Sequence, residues 1–399
     1  MILYHPNISS KDSVPILTRL RRLPFFKSFR PGRAWLYHSI SKTFWRVKKD
    51  RVLILSDSRK ELSGNLEFIA DELRANYPQF TIETVLRKSL KSGRTFRETW
   101  RLPFLIATSK FVILDDYYPY IYRLKLRKGV HVIQAWHAAG AFKRVGYSRM
   151  GLPGGPGEDS ISHRGYTDAI VSSESIRKDY AEAFRMDLDK VHAVGVPRSD
   201  VFYNAEYVQS ARKRIRDEYG IPDEKRVILY APTFRGNGQK SASFDFDMID
   251  WAKLGDAISD NSAFLVKMHP FVRKYPAELA ENPAFINVSG NREINDLLFA
   301  ADVLVTDYSS VIFEYALLNR PTIFHVPDLK LFQLSRDFYY PFEDYLFGPQ
   351  TTTTDELIAA ITSAEIDTEK LERFKTYFMS ACDGTSTKRF VKELIADRA

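Results

Sequence analysis

From residue 51 onward, short apolar runs ending in polar residues recur along the chain, each followed by a stretch with helical spacing. Arg51 to Asp57, Thr81 to Leu86, Phe111 to Asp116, Val130 to Ala135, Asp168 to Ser172 and Val191 to Val194 form one set; Val227 to Tyr230, Phe264 to Met268, Val303 to Val305 and Pro321 to Val326 form another. Continuous apolar runs of this length, without alternation, are those of parallel strands buried on both faces. With helices between them they predict doubly wound sheets, whose functional groups gather at the C-terminal ends of the strands. The pattern restarts after Gly220-Ile221-Pro222. It therefore predicts an α/β chain of two Rossmann-like domains, 51–220 and 221–375, facing a cleft, with a helix in 376–399 that can cross back to the first.

The stretch Asp302 to Pro321 carries the most chemistry. Its strand stops at Thr306-Asp307, turns through Tyr308-Ser309-Ser310 and enters a helix closed by Asn319-Arg320-Pro321. Free first-turn N–H groups, the helix dipole and small hydroxyls make such a turn a ready anion site, with Thr306, Ser309 and Ser310 as donors. Glu314, one turn into the helix, is placed to reach a ribose. Two further strand ends bring Thr233 with Arg235 and Lys267 with His269 to the same edge. Cations and fixed donors converging there are what a pyrophosphate requires.

In the first half, His137 follows a strand directly and precedes a small-residue turn and Lys143-Arg144. Histidine at such a place is a candidate general base, the imidazole being matched to proton transfer near neutral pH. The loop Leu152 to Gly165, rich in Gly and Pro, is expected on the same side.

Charge changes the picture only locally. Of 58 Lys and Arg, ten lie between Leu17 and Lys49, a window without Asp or Glu; the remainder holds 48 basic and 50 acidic residues. Those ten are interleaved with Phe25, Phe26, Phe29, Trp35, Phe44 and Trp45. Segment 1–50 thus reads as a basic amphipathic element for an anionic membrane surface, where each cation contributes about 1 kcal/mol. Nucleic acid is the rival partner, but no basic surface or recognition motif elsewhere supports it. A single cysteine, Cys382, excludes a disulfide framework and a cysteine metal site. With no signal peptide and no apolar run of about 20 residues, the expectation is a peripheral protein on the cytoplasmic face of a membrane.

Taken as a set, Gln134-Ala135-Trp136-His137, Gly195-Val196-Pro197-Arg198-Ser199-Asp200, Leu229 to Arg235, Met268-His269-Pro270 and Val305 to Tyr315 resemble the CDP-glycerol glycerophosphotransferase family of teichoic acid primases and polymerases. The resemblance implies a GT-B-like fold and transfer of an alditol phosphate from CDP-glycerol or CDP-ribitol, glycerol being placed first. The acceptor would be a hydroxyl on a polyprenyl-diphosphate-linked precursor, with release of CMP. It further implies His137 as base, His269 and Arg235 on the phosphates, Thr233, Thr306, Ser309, Ser310 and Lys143 as donors to substrate, and Glu314 on the ribose. No Asp-x-Asp pair flanks the site, so Mg2+ at Asp307 is admitted but not required. Many members carry Trp-His-Gly-Thr-Pro-Leu-Lys where this chain has Trp136-His137-Ala138-Ala139-Gly140-Ala141-Phe142-Lys143, which leaves primase and polymerase both open. The alternative is a nucleotide-sugar glycosyltransferase of the same fold, and a scaffold without turnover is a third reading. The C-terminal helices serve either domain closure or a homo-oligomer.

Overall fold

A computed structural model describes residues 31–399 apart from 88–93, 237–240, 259, 273–274, 292–293 and 336. The first thirty residues of the basic segment, with Arg19, Arg21, Arg22, Lys27 and Arg30, lie outside the described residues.

Two six-stranded parallel sheets organise the chain. The first holds β1 (Lys48–Ser56), β2 (Thr81–Leu86), β3 (Ser109–Leu114), β4 (His131–Gln134), β5 (Asp168–Ile170) and β6 (Val191–His192) in the order β2-β1-β3-β4-β5-β6. The second holds β7 (Arg226–Tyr230), β8 (Ser262–Val266), β9 (Phe285–Asn287), β10 (Val303–Thr306), β11 (Thr322–His325) and β12 (Gln350–Thr351) in the order β12-β11-β10-β7-β8-β9. Val52–Leu55, Phe111–Leu114 and Val303–Val305 are wholly buried, as strands covered by helices on both faces must be. Strand order reverses between β1 and β3 and between β7 and β10, and a crevice opens at such points. The strands β9 and β12 were not expected. They are edge strands of three and two residues, too short to leave an apolar run in the sequence.

One helix lies elsewhere than the linear division suggests, and a C-terminal helix packs on the first sheet. The helix Ala205–Glu218, assigned to the first domain by the sequence pattern, buries Ala211 and Ile215 in one core with Leu229, Leu265 and Leu304 of the second sheet. The helix Ser386–Leu394 packs Phe390, Val391 and Leu394 against Val52, Ile54 and Leu66 of the first. Its first turn is tied down by the Asp200 carboxylate, which accepts from the N–H groups of Ser386 (2.9 Å) and Thr387 (2.8 Å).

A third core joins the halves. Phe142 from the first meets Phe313, Phe338 and Tyr345 from the second. Gly140 sits at φ +66, and a Cβ there would fall inside the Phe313 ring, so only glycine allows this approach. Residues Phe142–Arg144 run beside 337–339: Tyr339 N–H donates to Phe142 O (2.9 Å) and Arg144 N–H to Asp337 O (3.0 Å). The Arg144 guanidinium adds an ion pair to Asp337 at 3.0 Å.

The helix Pro31–Phe44 lies on the helix Phe96–Thr108 and buries His38 and Ser41. Its outer face leaves Trp35, Leu36, Ile40 and Phe44 exposed. No helix among the described residues is long and apolar enough to cross a membrane.

Candidate active site

On the first sheet, the chain leaves β4 through Trp136, whose φ of +47 is an uncommon conformation for a bulky residue. It is held there by three hydrogen bonds. Trp136 N–H donates to Gln134 Oε1 (2.9 Å), and Asn65 Nδ2 donates to the carbonyls of Ala135 (3.0 Å) and Trp136 (2.7 Å). The kink turns His137 outward, its side chain 45% exposed, with Nδ1 3.6 Å from Asp116 Oδ1. That distance exceeds a hydrogen bond but aligns a carboxylate behind the imidazole, a pairing that substrate can tighten. Asp116 and Asn65 escaped the sequence reading: one is the last residue of an apolar run, the other the start of an ordinary helix.

On the second sheet, His269 follows β8 and packs its ring on Phe234 and Phe271, each at 4.6 Å. Its Nδ1 accepts from Phe271 N–H (3.1 Å), which leaves the proton on Nε2. Burial, with Lys143 and then Lys267 close by, pushes the imidazole down to about 4, so His269 is a neutral donor at physiological pH. Lys143 thus reaches across from the first half into the second, carried by the pairing of its backbone with Phe338. Ser309 and Ser310 are partly buried at the start of the helix Val311–Ala316, and Ser310 makes no side-chain capping bond.

Other expected donors are spent on the protein itself. The Arg235 guanidinium binds Asp328 through Nε (2.6 Å) and Nη2 (2.9 Å), and Asp307 (2.8 Å) and Thr233 O (2.6 Å) through Nη1. These bonds fix the guanidinium at the C-terminal edge of the sheet. The side chain locks the strand ends of β7 and β10 to the segment after β11, over the ring of Tyr308 at 5.1 Å. Asp307 also accepts from the N–H groups of Thr233 (2.7 Å) and Tyr308 (2.5 Å). No group of three metal-ligating side chains occurs among the described residues. Thr306 is fully buried and donates to Ala231 O (2.7 Å), while Thr233 lies buried beside it. Glu314 is likewise engaged by the protein. It is buried and accepts from Arg198 Nε (2.9 Å) and Nη2, a contact between the halves. Most of these commitments are invisible in sequence, because Asp328, Asp307, Ala231 and Arg198 stand far along the chain from the groups they bind.

A family model of CDP-glycerol:poly(glycerophosphate) glycerophosphotransferases matches residues 37–396. The chain belongs to that family. Teichoic acid poly(ribitol-phosphate) polymerase of Bacillus spizizenii is 43% identical over 88% of this chain, which spans 56% of that relative's length. Teichoic acid ribitol-phosphate polymerase TarL of Staphylococcus aureus is 39% identical over 99% of this chain and 71% of its own. Among solved structures, the wall teichoic acid polymerase TagF superposes with a TM-score of 0.74 at 23% identity, covering 96% of both chains. UDP-GlcNAc 2-epimerase of Neisseria meningitidis follows at 0.56 and 14%, over 87% of this chain and all of that one. These likenesses carry the GT-B-like arrangement of two sheets, and family membership accounts for the conjunction of motifs around His137, His269 and Ser309-Ser310.

Proposed function

We propose that the protein transfers ribitol phosphate from CDP-ribitol to a hydroxyl of a polyprenyl-diphosphate-linked teichoic acid precursor and releases CMP. The observations that carry this reading are an exposed His137 beside Asp116 at one sheet edge and, at the strand ends of the other sheet, a neutral His269 with Lys143 close by and the turn Ser309-Ser310. Ribitol replaces glycerol as the first choice. The relatives named for ribitol phosphate are 35–43% identical to this chain, those named for glycerol phosphate 26–29%.

In this reading the acceptor oxygen attacks the β-phosphorus in line as His137 takes its proton. The new O–P bond forms while the bond to the bridging oxygen breaks, and CMP departs with the electron pair. His269 Nε2–H, Lys143 and the two serine hydroxyls meet the charge that builds on the phosphoryl and leaving oxygens, where such donors act mainly by position and electrostatics. Arg235, Asp307 and Asp328 hold that edge rigid, and Arg198–Glu314 sets the spacing of the halves. The exposed face of the helix Pro31–Phe44, together with Trp45 and Trp100, suits peripheral docking on the cytoplasmic face of the membrane, with Arg46, Lys48 and Lys49 at its end.

The test is CMP release from CDP-ribitol and, in parallel, CDP-glycerol, with a short-chain lipid-linked acceptor. Acceptor-dependent release from CDP-ribitol, lost in His137→Ala, supports the reading. Release from CDP-glycerol alone reverses the alditol, and release of UDP from a nucleotide sugar instead sinks the reaction.

A further inference from the structure

We propose that a cationic groove between the helix Pro31–Phe44 and the Gly/Pro-rich loop holds the diphosphate of the membrane-anchored acceptor; this rests on the function proposed above. The groove has a volume of about 620 Å³, and Trp35, Tyr122, Arg123, Lys125, Ile161 and Arg164 line it. Three separate pieces of chain build it: the exposed helix, the turn Ile121–Arg123 with the residues after it, and the end of the loop.

Its charge is uncompensated. Arg123, Lys125 and Arg164 are exposed, and none has a carboxylate or other side-chain partner among the described residues. Most arginines deeper in the fold are, by contrast, tied to aspartates, as Arg87 and Arg94 are to Asp57. Three cations around one concavity repel one another until an anion of matching charge density joins them, and guanidinium forks suit the paired oxygens of a diphosphate.

Position selects the lipid-linked form. Trp35 belongs both to the groove and to the exposed apolar face that continues through Leu36, Ile40 and Phe44. A polyprenyl chain along that face would bring its head group to the groove. On the opposite side, Tyr122 leads to His137 through three ring contacts, with His163 (5.9 Å), from His163 to Trp136 (6.2 Å) and from Trp136 to His137 (4.5 Å). Between them, Tyr117 offers a hydroxyl bonded to Ser162 Oγ (3.1 Å). Tyr122, His163 and Trp136 are buried, so these contacts measure how near the groove stands to the base, and the sugars beyond the diphosphate would reach His137 over the exposed surface at Tyr117.

The full chain is titrated calorimetrically with farnesyl diphosphate, farnesyl monophosphate and inorganic pyrophosphate, as wild type, as R123A/K125A/R164A and as R123K/R164K. Wild type is expected to bind farnesyl diphosphate at least about tenfold more tightly than either other probe, and the triple alanine variant to lose about tenfold or more. The lysine variant, which keeps the charge but not the guanidinium forks, is expected to bind between wild type and the alanine variant, and a cooperative melt like that of wild type establishes that the alanine variant is folded. Unchanged binding in the alanine variant overturns the proposal, as does equal affinity for pyrophosphate, which would mean a free-phosphate site. An equal loss of binding to phosphatidylglycerol vesicles lacking any diphosphate lipid also overturns it, since the cations would then be general surface charge. The measurement needs no turnover. Cation-dependent binding of farnesyl diphosphate without CMP release from either CDP-alditol sinks the proposed reaction and leaves the groove standing.

Discussion

The two sheet edges that face each other across the cleft are built on opposite principles. On the first, the reactive group is exposed: His137 projects from a kinked backbone, and its nearest charged neighbour stands 3.6 Å away. On the second, polar groups are spent on their neighbours, Arg235 on two aspartates, Asp307 on two N–H groups, Thr306 on a carbonyl. One edge keeps a group available for a proton; the other keeps a surface from deforming when a diphosphate arrives. A residue's polarity therefore says little about its role until its partners are known.

The contrast breaks most sharply with His137→Ala. CMP release should fall by a factor of about 10² to 10⁴, the range for loss of a general base, while the melting temperature stays put because the side chain is exposed. A parallel fall in melting temperature would make His137 structural and erase the difference between the edges.

Arg235→Gln should do the reverse. It strands the Asp307 carboxylate, which is 1% exposed, beside Asp328, and breaking a buried pair in this way costs about 3 to 5 kcal/mol in denaturant unfolding. A raised KM for the CDP-alditol with stability intact would instead return Arg235 to the phosphates.

Gly140→Ala tests the seam between the edges. A methyl group against Phe313 at positive φ should cost about 1 to 3 kcal/mol and slacken the loop that carries Lys143 to His269. Stability equal to wild type would mean that the halves separate there at no cost.

The smallest effect is with pH. Burial holds His38, His163 and His269 near 4 in the folded protein, against 6.5 when exposed. Between those values the unfolded chain binds more protons, so the stability these groups contribute is complete above pH 6.5 and is lost as pH falls toward 4. Melting temperature should therefore drop through that window, and His163→Phe should make the slope shallower. An unchanged slope would mean that His163, behind the first edge, is not held neutral.

Much of the fold was legible in sequence because buried parallel strands leave uninterrupted apolar runs; Thr81–Leu86 was read to the residue. The short strands Phe285–Asn287 and Gln350–Thr351 left none. The candidate site was legible as a set of strand ends, since a doubly wound sheet sends its C-terminal residues to one edge. Asp116 and Asn65 were not, because their importance comes from what the fold sets beside them, a histidine 21 residues on and a strained tryptophan 71 residues on.

By itself, then, the sequence determined the parallel α/β architecture, the strand ends that meet at the cleft and the family, all properties of local hydrophobic pattern and of motifs short enough to read in line. Only the tertiary structure decided which of those residues remain available. Arg235, Thr306 and Glu314 are bonded to Asp328, the Ala231 carbonyl and Arg198, and a buried polar group must find its partner wherever the fold supplies one. The same holds for the helix Ala205–Glu218, whose apolar face declares that it is buried but not against which sheet.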